Sequence, residues 1–113
     1  MLDRFFTMIS KSQLSQFCQR WEIDELALFG SVLRDDFRPV SDVDMLVTFS
    51  PEANWSLLDH VKMEHEMQEL LGRDVDIISK RAIIRSENWL RREAILNSAR
   101  VIFSVEELSH ATR

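Results

Sequence analysis

Short apolar runs alternate with helix-forming segments along this chain of 113 residues, and this alternation limits the possible folds more than any other feature of the sequence. Residues 25–29, 43–49 and 75–79 have the length and the aliphatic content of buried strands. The segments between them carry apolar residues at helical spacing. This order predicts an α/β (α+β) domain in which helices flank a mixed sheet of three or four strands.

Serine and glycine residues mark where the predicted helices begin and end. Ser10 or Ser12 is expected to cap a helix that ends near Trp21, and Ser56 a long helix that Gly72 closes. The long helix is expected to bury a broad apolar side made of Leu57, Val61, Met63, Met67, Leu70 and Leu71. The remaining predicted elements are a short turn or helix at residues 32–36, a helix at residues 86–98 and a strand at residues 101–103.

Composition predicts one globular domain that spans residues 1–113, since 45% of the residues are hydrophobic and the chain is too short for two ordinary domains. The formal net charge of −5 argues against a dedicated nucleic-acid-binding module and suits a basic protein partner better. Basic residues do cluster after the third strand, at a spacing that also fits the solvated side of a helix. They are Lys80, Arg81, Arg85, Arg91 and Arg92.

The sequence favours a cytoplasmic protein without a membrane anchor. Cys18 is the only cysteine, so an internal disulfide or a zinc site made of cysteines is excluded. The first ten residues lack the apolar core and the cleavage site of a signal peptide. No apolar run approaches the roughly 18 residues that a membrane-spanning helix needs.

Three aspartates interrupt two of the predicted strands. Strand alternation places Asp42 and Asp44 on one face of the second strand, and Asp76 lies within the third. Aspartate is depleted in strands, and its carboxylate oxygens are ligands that suit magnesium. Asp74 is an alternative to Asp76, but Asp76 lies deeper in its apolar run. Upstream, Gly30 at the end of the first strand allows close approach of a phosphate to the backbone.

These residues resemble the motifs of the nucleotidyltransferases of the DNA polymerase beta superfamily, and within it the minimal nucleotidyltransferase (MNT) proteins. The family pattern is Gly-Ser, ten residues, Asp-x-Asp and a third acid on a later strand. This chain has Gly30-Ser31, ten residues at 32–41, Asp42-Val43-Asp44 and then Asp76. Arg34 falls where many members have an arginine, although Asp35 follows it where they have glycine.

The resemblance implies a minimal polymerase-beta-like fold and a site for a nucleoside triphosphate with two Mg²⁺ ions. Asp42 and Asp44 would hold both ions, and Asp76 would bind the catalytic ion and help to deprotonate an acceptor hydroxyl. Gly30 and Ser31 would hold the phosphates of the nucleotide. Arg34 would be a further residue that contacts the nucleotide.

The resemblance also implies a partner. Small MNT proteins act as antitoxins of type VII-like toxin–antitoxin pairs, in which they transfer AMP from ATP to a tyrosine of a HEPN ribonuclease toxin. The expected protein is therefore a magnesium-dependent protein adenylyltransferase in a hetero-oligomer with a HEPN toxin, without direct nucleic-acid binding. Two alternatives stay open: an antitoxin that blocks its toxin by contact alone, and an enzyme that modifies a small-molecule or nucleic-acid hydroxyl.

The other chemically notable residues are expected to be structural. Trp21, Trp55 and Trp89 are predicted to be core or interface anchors, with Trp55 the most exposed. His60 and His65 are five residues apart, which is the wrong spacing for a metal pair on one helix face. Cys18 is expected to be an inert core thiol.

Overall fold

The computed structural model describes residues 2–33 and 42–105, which form a four-stranded sheet with helices on both faces. The strands are β1 (Ile23–Phe29), β2 (Val43–Phe49), β3 (Val75–Ser79) and β4 (Arg100–Ser104). The helices of these residues are α1 (Leu2–Phe6), α2 (Lys11–Arg20), α3 (Leu57–Leu71), α4 (Lys80–Ile84) and α5 (Trp89–Ser98), and a 3-10 turn covers Gly30–Leu33.

The sheet has the strand order β3-β2-β1-β4. β1 pairs antiparallel with both β2 and β4, whereas β2 and β3 are parallel and are joined through α3. A parallel pair requires a crossover of this kind, because the chain has to return to the same end of the sheet. The predicted mixed α/β sheet of three or four strands is confirmed.

Strand alternation divides the buried side chains into two layers. Val43, Met45 and Val47 of β2 point to the larger core, where they meet α1, α2 and α3. Leu46 points to the opposite face and packs in a smaller core with Ile83 of α4 and Ile95 of α5, against Ala27 and Phe29 of β1. The even-numbered positions of β2 therefore face α4 and α5.

The bounds of α3 follow from local capping signals, as predicted. Ser56 and Asp59 form a capping box, in which the Ser56 hydroxyl accepts from the Asp59 backbone N–H and the Asp59 carboxylate accepts from the Ser56 backbone N–H. Gly72 ends the helix in the left-handed conformation with φ +71°.

Two short helices were absent from the sequence prediction, and the bounds of three further elements differ. α1 brings Phe5 into the larger core, and α4 begins directly after β3. β1 begins at Ile23, β4 extends from Arg100 to Ser104, and α5 begins only at Trp89 because Asn88 is its cap. The turn or helix expected at 32–36 is a 3-10 turn over Gly30–Leu33, and its remainder lies outside the described residues.

The exposure of several large apolar residues contradicts the helical patterns in the sequence. Leu57 and Val61 of α3 are exposed, so the buried side of this helix is the narrower one made of Met63, Met67 and Leu71. Trp55 is partly buried: its ring meets Trp21 edge-on at 5.1 Å, and its indole N–H donates to the Trp21 carbonyl oxygen. The exposed tryptophan is Trp89, at 60%.

Candidate nucleotidyltransferase site

Asp44 and Asp76 lie opposite one another on the parallel strands β2 and β3. Neighbouring strands are about 4.8 Å apart, and paired residues of a sheet project to the same face. The two carboxylates therefore start side by side, although 32 positions separate them in the sequence. Asp44 is partly buried and Asp76 is exposed.

Asp42 lies one residue before β2, and its side chain is exposed. The main chain at this point is tied to the neighbouring strand, because the Val43 N–H donates to the Asp74 carbonyl oxygen over 3.0 Å. Asp74, the alternative third acid, thus lies just before β3, whereas Asp76 lies within it and opposite Asp44.

Gly30 brings the end of β1 against the Asp44 side chain. Its φ of +77° is in the left-handed region, which favours glycine. A Cβ atom at residue 30 would overlap the Asp44 carboxylate and lie 3.3 Å from its Cγ atom. The pairing of Phe29 with Asp44 across β1 and β2 produces this close approach. The glycine is therefore required both by its backbone angle and by the space that Asp44 occupies.

Ser31 follows within the 3-10 turn Gly30–Leu33, so the Gly-Ser pair begins immediately where β1 ends. Val32 of the same turn is buried in the larger core, which anchors the turn to the sheet. Arg34 lies in residues 34–41, outside the described residues.

The donor chemistry of this edge fits magnesium, but the carboxylates do not form a finished ligand set. In the described part of the chain, no three acidic, histidine or cysteine side chains stand close enough together to hold a metal ion. Like charges directly opposite one another on neighbouring strands repel. A divalent cation between Asp44 and Asp76 would convert that repulsion into attraction, and carboxylate oxygens are the ligands that Mg²⁺ prefers.

The acids lie at the margin of the layer formed by α4 and α5. Leu46 and Ile78 follow Asp44 and Asp76 by two residues, about 7 Å along each strand, and both pack in the smaller core beneath these helices. The covered part of this sheet face therefore ends where the acids begin. A substrate has to approach them from beyond the edge of the helical layer.

Three side chains of α3 hold β3 by its main chain. The carbonyl oxygen of Ile77 meets His60 Nε2 at 2.7 Å, and the Ile77 N–H donates to Glu64 Oε2 over 2.8 Å. Gln68 Nε2 donates to the Val75 carbonyl oxygen over 3.3 Å. These contacts surround Asp76, so they position it. Sequence reasoning missed them, although a polar stripe at positions 60, 64 and 68 was a readable signal.

A cleft of about 540 Å³ lies at the other ends of the same strands. Phe49, Trp55, His60, Ser79 and Arg81 are among the residues that line it. None of the predicted site residues that the structure describes lines it, because the acids lie at the beginnings of β2 and β3 and the cleft at their ends. No helix within residues 2–33 and 42–105 is long and apolar enough to cross a membrane.

Comparison with known proteins places this geometry in a family. Residues 10–102 match the model of the nucleotidyltransferase domain. The candidate protein adenylyltransferase MJ0435 of Methanocaldococcus jannaschii is 35% identical over 77 residues, which cover 68% of this chain and 76% of that protein.

Two solved structures share the fold. A candidate minimal nucleotidyltransferase is 35% identical, with a TM-score of 0.61 over 79% of this chain and 85% of its own. The second is a complex of a tri-AMPylated Shewanella oneidensis HEPN toxin with an MNT antitoxin. The matched chain of this complex is 14% identical, with a TM-score of 0.57 over 88% of the present chain and 74% of the matched chain. The chain belongs to the nucleotidyltransferase domain family and has the minimal nucleotidyltransferase fold.

Proposed function

We propose that this protein is a magnesium-dependent protein adenylyltransferase that acts as the antitoxin of a HEPN ribonuclease toxin. It would transfer AMP from ATP to a tyrosine hydroxyl of that toxin. The observation that carries the proposal is the pairing of Asp44 with Asp76 directly beside Gly30. Two comparisons support the proposal. The relative MJ0435, which is 35% identical, is named as a protein adenylyltransferase, and one protein of the same fold is an MNT antitoxin in complex with an AMPylated HEPN toxin.

In the proposed reaction the tyrosine oxygen forms a bond to the α-phosphorus of ATP. The bond from that phosphorus to the bridging oxygen breaks, and pyrophosphate leaves. Asp76, exposed on β3, accepts the proton of the hydroxyl, directly or through water. Magnesium held by Asp42, Asp44 and Asp76 would supply neutralisation of the charge that develops on the phosphate oxygens.

The remaining site residues would orient the nucleotide. Gly30 would contact the phosphates through its main chain, and its lack of a side chain leaves the room that the Asp44 carboxylate takes. Ser31 would offer its backbone N–H and hydroxyl to the β- and γ-phosphates, and Arg34 a positive charge. Positioning and charge neutralisation account for most of the rate enhancement in phosphoryl transfer.

The experiment that tests this proposal incubates the chain with ATP, Mg²⁺ and a HEPN-domain protein as candidate partner. Intact-mass spectrometry should show AMP added to the partner, and peptide mapping should locate it on a tyrosine. The double variant Asp42→Asn/Asp44→Asn should bind the partner but add no AMP. A complex that forms without AMP transfer by the parent chain would contradict the proposal and favour an antitoxin that acts by contact alone.

A further inference from the structure

A basic and apolar surface lies on the same side of the sheet as the acids. It consists of Ile84, Arg85, Trp89, Leu90 and Arg91, from the end of α4 to the first turn of α5, and is called the α4–α5 patch below. Ile84, Trp89 and Leu90 are 53%, 60% and 66% exposed, although a single domain of this size usually buries such residues.

The position of the α4–α5 patch relative to the acids follows from its neighbours. Ile84 directly follows Ile83, which packs on Leu46 in the smaller core. Leu46 is two residues from Asp44 on the same face of β2. The α4–α5 patch therefore lies on the same face of the sheet as Asp44 and Asp76, on the helical layer that ends where these acids begin.

The charge of this region is opposite to that of the whole chain. The α4–α5 patch contains two basic side chains, Arg85 and Arg91, and no acidic one, whereas the chain carries a formal charge of −5. Arg85 and Arg91 are exposed, and neither forms an ion pair within residues 2–33 and 42–105. A partner surface with acidic residues around an apolar centre would complement it.

Hydrogen bonds hold the connection between α4 and α5 in one conformation. The Asn88 N–H donates to the Ser86 hydroxyl, and the Asn88 side chain accepts from the Arg91 N–H, each over 3.2 Å. Arg92 Nη1 donates to the Ser86 carbonyl oxygen. A surface that is ordered before binding loses less conformational entropy when a partner docks. A tryptophan between arginines also has the composition of an interface hot spot.

We infer that the α4–α5 patch docks an acidic and apolar surface of the protein that accepts AMP, and so directs the acceptor hydroxyl to Asp44 and Asp76. This inference rests on the proposed function. Nucleic acid fits the patch less well, because Ile84 and Leu90 offer nothing to phosphates or base edges. The patch refines the expectation of a basic partner, because the surface beside the acids is itself basic.

A second exposed apolar surface provides a matched control. Leu57, Leu58 and Val61 of α3 are 82%, 64% and 49% exposed, but α3 packs on the opposite face of the sheet. Leu58 and Leu90 are exposed to almost the same extent, so Leu58→Glu and Leu90→Glu make the same change on opposite sides. Lys62→Glu on α3 is the corresponding control for Arg85→Glu.

The test measures binding of the HEPN-domain partner that accepts AMP to each variant in the Asp42→Asn/Asp44→Asn background, where transfer is absent. Leu90→Glu and Arg85→Glu should each weaken binding by about tenfold or more, and the α3 variants should bind like the parent. In the active chain, Leu90→Glu should raise KM for the partner and leave kcat unchanged. Circular dichroism checks that all variants fold.

The other outcomes separate the two proposals. Unchanged binding by Leu90→Glu and Arg85→Glu, or equal losses in the α3 variants, would overturn the docking site while AMP transfer stands. If Leu90→Glu weakens the complex but the parent chain transfers no AMP to the partner, the proposed adenylyltransferase activity is overturned and the docking site stands. If Leu90→Glu removes only self-association in light scattering, or only binding of a single-stranded RNA oligonucleotide, the surface serves a second copy or RNA and the inference is wrong.

Discussion

The Asp44 carboxylate lies against Gly30 at the end of β1 and fills the place that a side chain at residue 30 would take. A Cβ atom there would lie 3.3 Å from Asp44 Cγ and overlap the carboxylate. The glycine and the acid are thus one structural unit, although the motif separates them by thirteen residues. A change at residue 30 has to move the carboxylate as well as the backbone.

Gly30→Ala should therefore reduce both stability and activity. The left-handed backbone costs about 1–2 kcal/mol for alanine, and displacement of Asp44 adds to it. Gly72→Ala is the control, since Gly72 has a similar φ but no atom lies within 4 Å of the place that an alanine Cβ would take there. Urea unfolding should show a loss in both variants, whereas AMP transfer should fall only in Gly30→Ala. Equal activity of the two variants would contradict the contact with Asp44.

Asp76→Asn should abolish activity and alter the response of the fold to Mg²⁺. AMP transfer should fall by at least about a hundredfold, as when a charge-stabilising group is removed from a transition state. In the absence of metal the variant should be about 0.2–1 kcal/mol more stable, because a like-charge pair across β2 and β3 is removed. Calorimetry with and without Mg²⁺ should show a rise in Tm for the parent only.

Asp74→Asn is the matched control for Asp76→Asn. Asp74 also lies beside β2, but it precedes β3, and its contact with β2 is made by its carbonyl oxygen, which the substitution leaves in place. It should retain activity. If Asp74→Asn is the inactive variant and Asp76→Asn is active, the assignment of the third acid has to be reversed.

Glu64→Leu should destabilise the fold by about 1–2 kcal/mol, since it leaves the Ile77 N–H without its acceptor. Glu69→Leu changes an exposed glutamate of the same helix and should stay within about 0.5 kcal/mol of the parent. Chemical denaturation measures both. Similar losses in the two variants would show that the contact with β3 contributes nothing specific.

The capping box of α3 should make stability depend on pH in acid. Hydrogen bonds from the Ser56 backbone N–H and hydroxyl lower the pKa of Asp59 from its ordinary 3.8. The carboxylate therefore stabilises the folded state fully above pH 3.8, and this contribution is lost as the pH falls through the lowered pKa. Asp59→Asn should be less stable than the parent near neutral pH, and the difference should vanish in strong acid. A difference that does not change with pH would contradict this assignment.

Cys18 should react with thiol reagents only after unfolding. Its side chain is fully buried, and desolvation raises the pKa of the thiol to about 12, so the nucleophilic thiolate is scarce. Modification by iodoacetamide, followed by mass spectrometry, should accelerate sharply across the urea transition. Rapid modification of the native protein would disprove the burial of this residue.

Local signals explain which elements could be predicted from the sequence. β2 and β3 were predicted with the bounds that the structure has, and α3 was predicted from Ser56 and Gly72. Each of these elements carries its own pattern of alternation or capping. α4 was missed because five residues are too few to show a helical period, and its Ser79 makes no side-chain capping bond.

Contacts between distant segments explain what could not be predicted. The sequence placed Asp44 and Asp76 on strands, but only the register of β2 with β3 pairs them, and only the end of β1 brings Gly30 against Asp44. Trp89, Leu90 and Ile95 all lie in the helix that was predicted at residues 86–98, and the sequence did not show which of them is buried. The way in which α5 lies on the sheet buries Ile95 alone among these three. The roles of all the predicted site residues stay predictions: Gly30, Ser31, Arg34, Asp42, Asp44 and Asp76.

The hydrogen bonds from α3 to the main chain of β3 affect how the site can evolve. His60, Glu64 and Gln68 contact main-chain atoms, which every amino acid carries, rather than the side chains of β3. The strand is thus held in register whatever residue stands at position 76. Substitutions there can change the chemistry of the site without loosening its scaffold, which makes position 76 a natural starting point for engineering new activities on this fold.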